Sequence, residues 1–240
     1  MDQLIRTRML IGNENIDKLQ KASVAVFGLG GVGGYTVEAL ARSGIGSLYL
    51  CDNDTISESN LNRQILATYD SIGRLKTEVA KERISSINSS VKVTCDNSFV
   101  LPENIGNIDF HGFDAVVDAI DTVSGKIALI VASKEAGVPV ISCMGTGNKM
   151  NAQMLEIADI YETSVCPLAR VMRKELKSRG IDACKVIFSK EEPMKPIEPS
   201  ESSDDINEGS KKRGIPASNA FVPATAGLLI AQEVIKTIIM

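Results

Sequence analysis

Apolar residues along this chain follow two periods, and the periods alternate. Val24-Ala25-Val26-Phe27, Leu48-Tyr49-Leu50, Val91–Cys95, Phe113–Asp121 and Pro139–Met144 are short β-branched or apolar runs that read as strands. Between them, apolar positions recur every three or four residues, which predicts helices from Tyr35 to about Arg42, from Gly73 to about Ile87 and from Val123 to Ala136. Strands and helices in this alternation build a parallel sheet whose ligands sit at the carboxyl ends of the strands. After Gly145 the pattern changes. Residues 154 to 161 alternate as an antiparallel strand, 167 to 179 form a helix with Leu168, Val171, Met172 and Leu176 inside, 186 to 189 form another strand, and Ala224 to about Ile238 is an apolar closing helix. The expected fold is α/β, a doubly wound, mostly parallel Rossmann-like sheet with helices on both faces and a C-terminal antiparallel extension.

Between the first strand and the first core helix lies Gly28-Leu29-Gly30-Gly31-Val32-Gly33-Gly34, and the second strand closes on Asp52 and Asp54. Glycines at such a turn let backbone N–H groups approach a phosphate at the helix N-terminus, where the dipole favours negative charge. Asp52 lies 19 residues beyond Gly33, near the spacing at which a carboxylate accepts hydrogen bonds from a ribose diol. The sheet gathers Gly30, Asp52, Asp54 and Asp121 on one edge. A single domain over residues 1–240 is expected, with an N-terminal helical arm (1–21) broken at Gly12, a nucleotide-binding core (22–150), and an extension (151–240) holding a mobile Pro-, Ser- and acid-rich loop at 191–213.

Composition narrows the class. The chain is 44% hydrophobic and 23% charged, ordinary for a globular protein with a sizeable core, and its net charge of −4 carries no global basic signature. Contact with nucleic acid would therefore need a local patch. Arg170, Arg173, Lys174, Lys177 and Arg179 give one on a helix face, and Lys211, Lys212 and Arg213 give another; either is a solvated surface or a seat for an anionic partner. Five scattered cysteines without a Cys-x-x-Cys pair argue against a disulfide framework or structural zinc and suggest a reducing cytoplasm. Cys166 and Cys184 have no histidine or paired base nearby in sequence, and His111, the lone histidine, reads as a surface loop residue. The amino terminus lacks a signal-peptide core, and no membrane span is expected.

Taken in order, the glycine turn, Asp52-x-Asp54, Ser59-Asn60-Leu61-Asn62-Arg63-Gln64, Lys76 and Asp121 resemble the ATP site of the ThiF/MoeB/HesA family of the ubiquitin-activating-enzyme superfamily. That resemblance implies that Gly31, with Gly28, Gly30 and Gly33, lies against the phosphates and that Asp52 holds the ribose. Asn60, Arg63 and Lys76 would engage the triphosphate, with Asp54, Asn62 and Gln64 completing the site. Asp121 would sit near the α-phosphate and its Mg2+ ion. Asp121, Arg63 and Lys76 are thus the implied catalytic groups. An arginine of the arm, Arg6 or Arg8, would reach the partner subunit's ATP in a homodimer; its plain alternative is solvated surface charge. Within the family, Asp118-Ala-Ile-Asp121, Asn151-x-Gln153, Ile157-x-Asp159-Ile160 and Pro167 to Lys177 are most similar to the branch that uses ATP to activate the carboxylate of a threonylcarbamoyl group on tRNA adenosine, ring closure following with loss of water. The rival within the family is adenylation of the C-terminal glycine of a ubiquitin-like sulfur carrier, and sulfur-relay proteins accompany some members. Outside it stand a non-catalytic nucleotide-binding scaffold and a NAD-linked oxidoreductase.

Overall fold

The computed structural model describes residues 2–197 and 216–240. One seven-stranded sheet runs through it, built from β1 (Ser23–Phe27), β2 (Ser47–Cys51), β3 (Lys92–Asp96), β4 (Ala115–Asp118), β5 (Val140–Cys143), β6 (Leu155–Asp159) and β7 (Lys185–Ser189). The order is β3-β2-β1-β4-β5-β7-β6, parallel throughout except for the antiparallel β6–β7 pair. The helices are α1 (Ile5–Lys21), α2 (Gly33–Ser43), α3 (Lys76–Ile87), α4 (Val123–Glu135), α5 (Pro167–Lys177) and α6 (Val222–Ile239). The doubly wound sheet with its antiparallel end is the expected architecture.

The sheet is covered on both faces, and β1 shows why. Its alternate residues Val24 and Val26 join a core with Leu40 of α2, Ile84 of α3 and Ile230 of α6, while Ala25 and Phe27 face a second core with Leu129 of α4 and Met172 of α5. A strand buried on both faces reads as a near-continuous apolar run, as β1 does from Val24 to Phe27. Phe27 stacks on Phe110 with ring centroids 6.1 Å apart and tilts against Tyr49; burying a ring of this size stabilises by about 2–3 kcal/mol. Strand order reverses between β1 and β4, and that switch point opens the crevice where doubly wound folds hold ligands.

Several boundaries differ from the sequence reading. Gly12 sits at φ 83°, ψ 167° and kinks the arm as expected. Helix α2 starts at Gly33, two residues before the expected Tyr35. Helix α3 begins at Lys76, since Gly73 at φ 83° cannot extend it toward the N-terminus. On α5, Val171 is 44% exposed and Ala169 takes its place in the core. Strand β4 stops at Asp118, so Asp121 lies three residues beyond it. Helix α6 is long and apolar enough to cross a membrane by composition, with half of its window buried. Here Gly227 lets it lie directly on α2, since a Cβ there would come 2.3 Å from the Val32 carbonyl oxygen. Of the 191–213 loop, residues 198–213 lie outside the described residues, and so do Lys211, Lys212 and Arg213.

Candidate active site

The glycine turn after β1 admits no side chain at two of its positions. Gly28 has φ 87°, and a Cβ there would lie 2.6 Å from the Ala119 carbonyl oxygen; at Gly33 it would lie 1.8 Å from the Gly28 carbonyl oxygen. Gly30 and Gly31 are the partly exposed rim of the turn. Pro223, in the first turn of α6, lies beside Gly31. The Leu29 N–H of the turn donates to Asp52 Oδ2 at 2.6 Å, tying the tip of β2 to the turn. Asp52 Oδ1 accepts the Asp54 N–H, which curls the Asp52-Asn53-Asp54 stretch around the first carboxylate.

Lys76 reaches this cluster from the first residue of α3. Its ammonium lies 2.7 Å from Asp54 Oδ2 and 3.5 Å from Asp52 Oδ1, and its side chain is buried. An isolated bridge between Thr55 and Leu75 brings the start of α3 to the end of β2 and so delivers Lys76. Two carboxylates beside a buried ammonium compensate its desolvation.

Residues 57 to 64 form the next wall. Asn60 Oδ1 accepts the Ser57 N–H, and the Asn60 carbonyl accepts the N–H groups of Arg63 and Gln64, so this short turn is self-capped. Asn62 donates to the Ser218 carbonyl and accepts from Arg63. Arg63 runs past Gly31, its Cγ 3.5 Å from where a Cβ of that glycine would be, and donates to the Ser59 carbonyl at 2.8 Å. Burial lowers its pKa from the usual arginine value. Among the described residues it has no carboxylate partner. A half-buried cation held only by neutral oxygens, beside a glycine turn, is suited to an anion.

Gln64 points the same way. It is buried, at 7% exposure, its Nε2 faces Gly30, and its Oε1 has no hydrogen-bond partner among the described residues. Buried amide oxygens are rarely left unmade, because the loss costs about 1–3 kcal/mol. A polar ligand or ordered water against the turn would satisfy it. The residues present therefore fit a nucleotide polyphosphate: uncrowded glycine backbone, one uncompensated cation, one orphaned amide and a carboxylate at the neighbouring strand tip.

Two of the expected residues stand apart. Asp121 is exposed in the turn between β4 and α4, on the carboxyl edge of the sheet, and makes no hydrogen bond among the described residues. Nor do three or more acidic, His or Cys side chains converge as a metal cluster there. Arg8 is bonded within its own arm, to Asp2 at 3.0 Å and to Asn13 at 3.0 Å. The arm also exposes Met9 and Leu10.

On α5, Arg170, Lys174 and Lys177 are exposed, whereas Arg173 folds back to donate to the Thr163 carbonyl at 2.9 Å. Cys166 and Cys184 are both buried, and burial pushes the Cys184 thiol up to about 12. A thiol in that state is a poor nucleophile. His111 is exposed in a short turn.

Sequence reasoning missed two buried lysines on this edge. Lys126 of α4 pairs with Asp118 in the core; a single charge directly before the apolar run Ile127-Ala128-Leu129-Ile130 was the available signal. Lys149 follows β5 and donates to the Glu191 carbonyl, and burial lowers its pKa.

Comparison with known proteins agrees with this geometry. The ThiF family model matches residues 3–240. The tRNA threonylcarbamoyladenosine dehydratase of Bacillus subtilis is 37% identical over 242 aligned positions, covering 100% of this chain and 95% of that protein. The Escherichia coli protein of the same name is 38% identical over 172 positions, 72% of this chain and 64% of its own length. The crystal structure of the E. coli dehydratase, TcdA, in complex with ATP superposes with a TM-score of 0.86 at 31% identity, covering 98% of this chain and 93% of that one. With a doubly wound sheet, a glycine turn tied to Asp52, and a match running from the arm to the last helix, this chain belongs to the ThiF family.

Proposed function

We propose that this protein is an ATP-dependent tRNA threonylcarbamoyladenosine dehydratase, an enzyme that adenylates the carboxylate of the threonylcarbamoyl group on a tRNA adenosine and lets the group close on itself. The observation that carries the choice of substrate is similarity over the whole chain to a dehydratase of that name, 37% identical and covered to 95% of its length. The alternative, a ubiquitin-like carrier, is favoured by no feature of the described residues.

In this reading ATP lies along the glycine turn with its phosphates toward Arg63 and its ribose toward Asp52. The substrate carboxylate attacks the α-phosphorus, pyrophosphate leaves, and an acyl adenylate forms. A nitrogen of the same threonylcarbamoyl group then attacks the activated acyl carbon, loses its proton, and expels AMP, so the oxygen removed from the substrate departs on the phosphate. Displacement at phosphorus needs positioning and neutralisation of charge more than covalent help. Arg63 supplies a cation that has no carboxylate partner among the described residues. Lys76 supplies a second, released from Asp54 as phosphate oxygens compete for it. Mg2+, when bound, would supply further neutralisation of charge on the phosphates and the leaving pyrophosphate. Asp121 is the carboxylate that would help hold it, a single acid being enough for an ion that is bound chiefly through its substrate.

The tRNA seat is assigned to the exposed basic face of α5, Arg170, Lys174 and Lys177, a local patch on an acidic protein. The enzyme is read as a cytoplasmic homodimer in which the exposed Met9 and Leu10 of the arm meet the partner and Arg8 leaves Asp2 to reach the partner's ATP. Sulfur-relay proteins are assigned as companions rather than substrates. Exchange of labelled pyrophosphate into ATP tests the substrate. Exchange stimulated by threonylcarbamoyladenosine-containing tRNA, and not by a ubiquitin-like carrier, supports the reading; stimulation by the carrier alone defeats it.

A further inference from the structure

We infer that Lys126 is a positioning residue that sets the peptide presenting Asp121 to the nucleotide, an assignment that rests on the proposed role of Asp121 in handling Mg2+ and ATP. Lys126 and Asp118 are both fully buried, their side chains wholly out of solvent and 3.0 Å apart. Asp118 ends β4, and Lys126 projects from the first turns of α4, so the pair clasps the turn between them from the inside. The Lys126 ammonium also donates to the Ile120 carbonyl at 2.9 Å. Asp118 Oδ1 accepts the Ile120 N–H at 3.3 Å, and Asp118 Oδ2 accepts the Ser142 hydroxyl of β5 at 2.5 Å.

The Ile120 carbonyl belongs to the same planar unit as the Asp121 nitrogen. Fixing that oxygen from Lys126, and the Ile120 N–H from Asp118, fixes the rotation of the peptide that leads into Asp121. The other side of the turn is equally constrained: the Ala119 N–H donates to the Phe27 carbonyl, and the Ala119 carbonyl oxygen lies where any side chain at Gly28 would clash. The network therefore registers Asp121 against the glycine turn. Stability alone is a weak reason for it, because replacing a buried ion pair by apolar groups of similar volume is often neutral or favourable. What an apolar pair would lack is a donor for the Ile120 carbonyl. That single contact is the difference between a filled core and an aimed turn.

The test compares Lys126→Met, the double variant D118N/K126M, Asp121→Ala and K126M/D121A in the full-length protein. Three readouts are taken: Mn2+ occupancy of the ATP complex by electron paramagnetic resonance, kcat and KM for ATP–pyrophosphate exchange, and the unfolding midpoint. Supporting residues of a metal site typically cost roughly 10–100-fold in metal affinity when removed. Lys126→Met is expected to weaken Mn2+ binding by that order and lower kcat, with KM for tRNA unchanged. D118N/K126M, which leaves no unpaired buried charge, is expected to recover the unfolding midpoint without recovering Mn2+ affinity. In the Asp121→Ala background, Lys126→Met should weaken Mn2+ binding no further. Recovery of both stability and Mn2+ affinity in the double variant would overturn the inference and leave the network merely structural. If Asp121→Ala binds Mn2+ as the parent does, the reading of Asp121 fails instead. Should Lys126→Met not fold, the double variant carries the comparison alone.

Discussion

The ammonium of Lys76 lies 2.7 Å from the carboxylate of Asp54, yet the first side chain is 6% exposed and the second 58%. A buried cation is thus held by a surface anion at the mouth of the glycine turn, where a phosphate can replace the carboxylate without leaving the lysine unpaired. Lys76→Met removes one of two cations from the developing charge. Loss of a preorganised electrostatic group of this kind costs roughly 10²–10³ in kcat. The exchange rate should fall by that order with the circular dichroism spectrum unchanged; a change below threefold would remove Lys76 from the chemistry.

Gly28 makes a prediction about stability alone. Its φ of 87° and the 2.6 Å approach to the Ala119 carbonyl leave no room for a methyl group. Gly28→Ala therefore combines left-handed strain with a backbone clash, worth at least about 1–3 kcal/mol. For a chain of this size that lowers the unfolding midpoint by several degrees, at roughly 2–4 °C per kcal/mol. By contrast, Gly137→Ala, with φ 71° and nothing within 4 Å, should cost only the strain.

Acid should find the α2–α3 contact. Burial alone would raise the Glu38 carboxyl, but hydrogen bonds from Arg83 and Arg42 outweigh it and hold the pKa below its usual 4.5. A carboxyl depressed on folding contributes stability that is present above its unfolded value and lost as pH falls through the folded one. Denaturant titrations should show stability dropping below about pH 4.5, and Glu38→Gln should flatten that part of the profile. An unchanged slope in the variant would assign the acid sensitivity elsewhere.

Both cysteines of the extension are dispensable to the chemistry in this account. Cys166→Ala and Cys184→Ala should retain adenylation and ring closure, with some loss of stability at the fully buried Cys184. A protein–substrate thioester trapped on either would contradict this.

How much of this was legible from sequence follows from where each signal resides. The strands of the core announced themselves because burial on both faces makes most of their positions apolar, Asp118 and Ser142 being the buried exceptions, and the glycines of the turn because backbone approach leaves no room for a side chain at Gly28 and Gly33. Asp52, Arg63 and Lys76 became candidates because their order along the chain matches a family's site, and the fold brings them to one edge of the sheet beside the glycine turn. Sequence placed Asp121 at the end of a strand, whereas the strand stops at Asp118: a run of apolar residues does not reveal where its ladder of hydrogen bonds ends. Asp118 and Lys126 were missed as partners for the same reason, since a contact between a strand end and the following helix depends on how the turn folds. Arg173 was read on the outer face of α5, as solvated charge or part of a seat for an anionic partner, but it turns back onto Thr163, a side-chain choice that helical spacing does not encode. The orphaned oxygen of Gln64 is visible only in three dimensions.

Nucleoside mass analysis of tRNA carrying threonylcarbamoyladenosine, incubated with this protein, ATP and Mg2+ alongside the Asp121→Ala variant, separates the dehydratase from a carrier-activating enzyme. The nucleoside should lose the mass of one water as AMP and pyrophosphate appear in equal amounts, and the variant should produce neither. An unchanged nucleoside mass, with pyrophosphate released only when a ubiquitin-like carrier is added, would contradict the dehydratase reading.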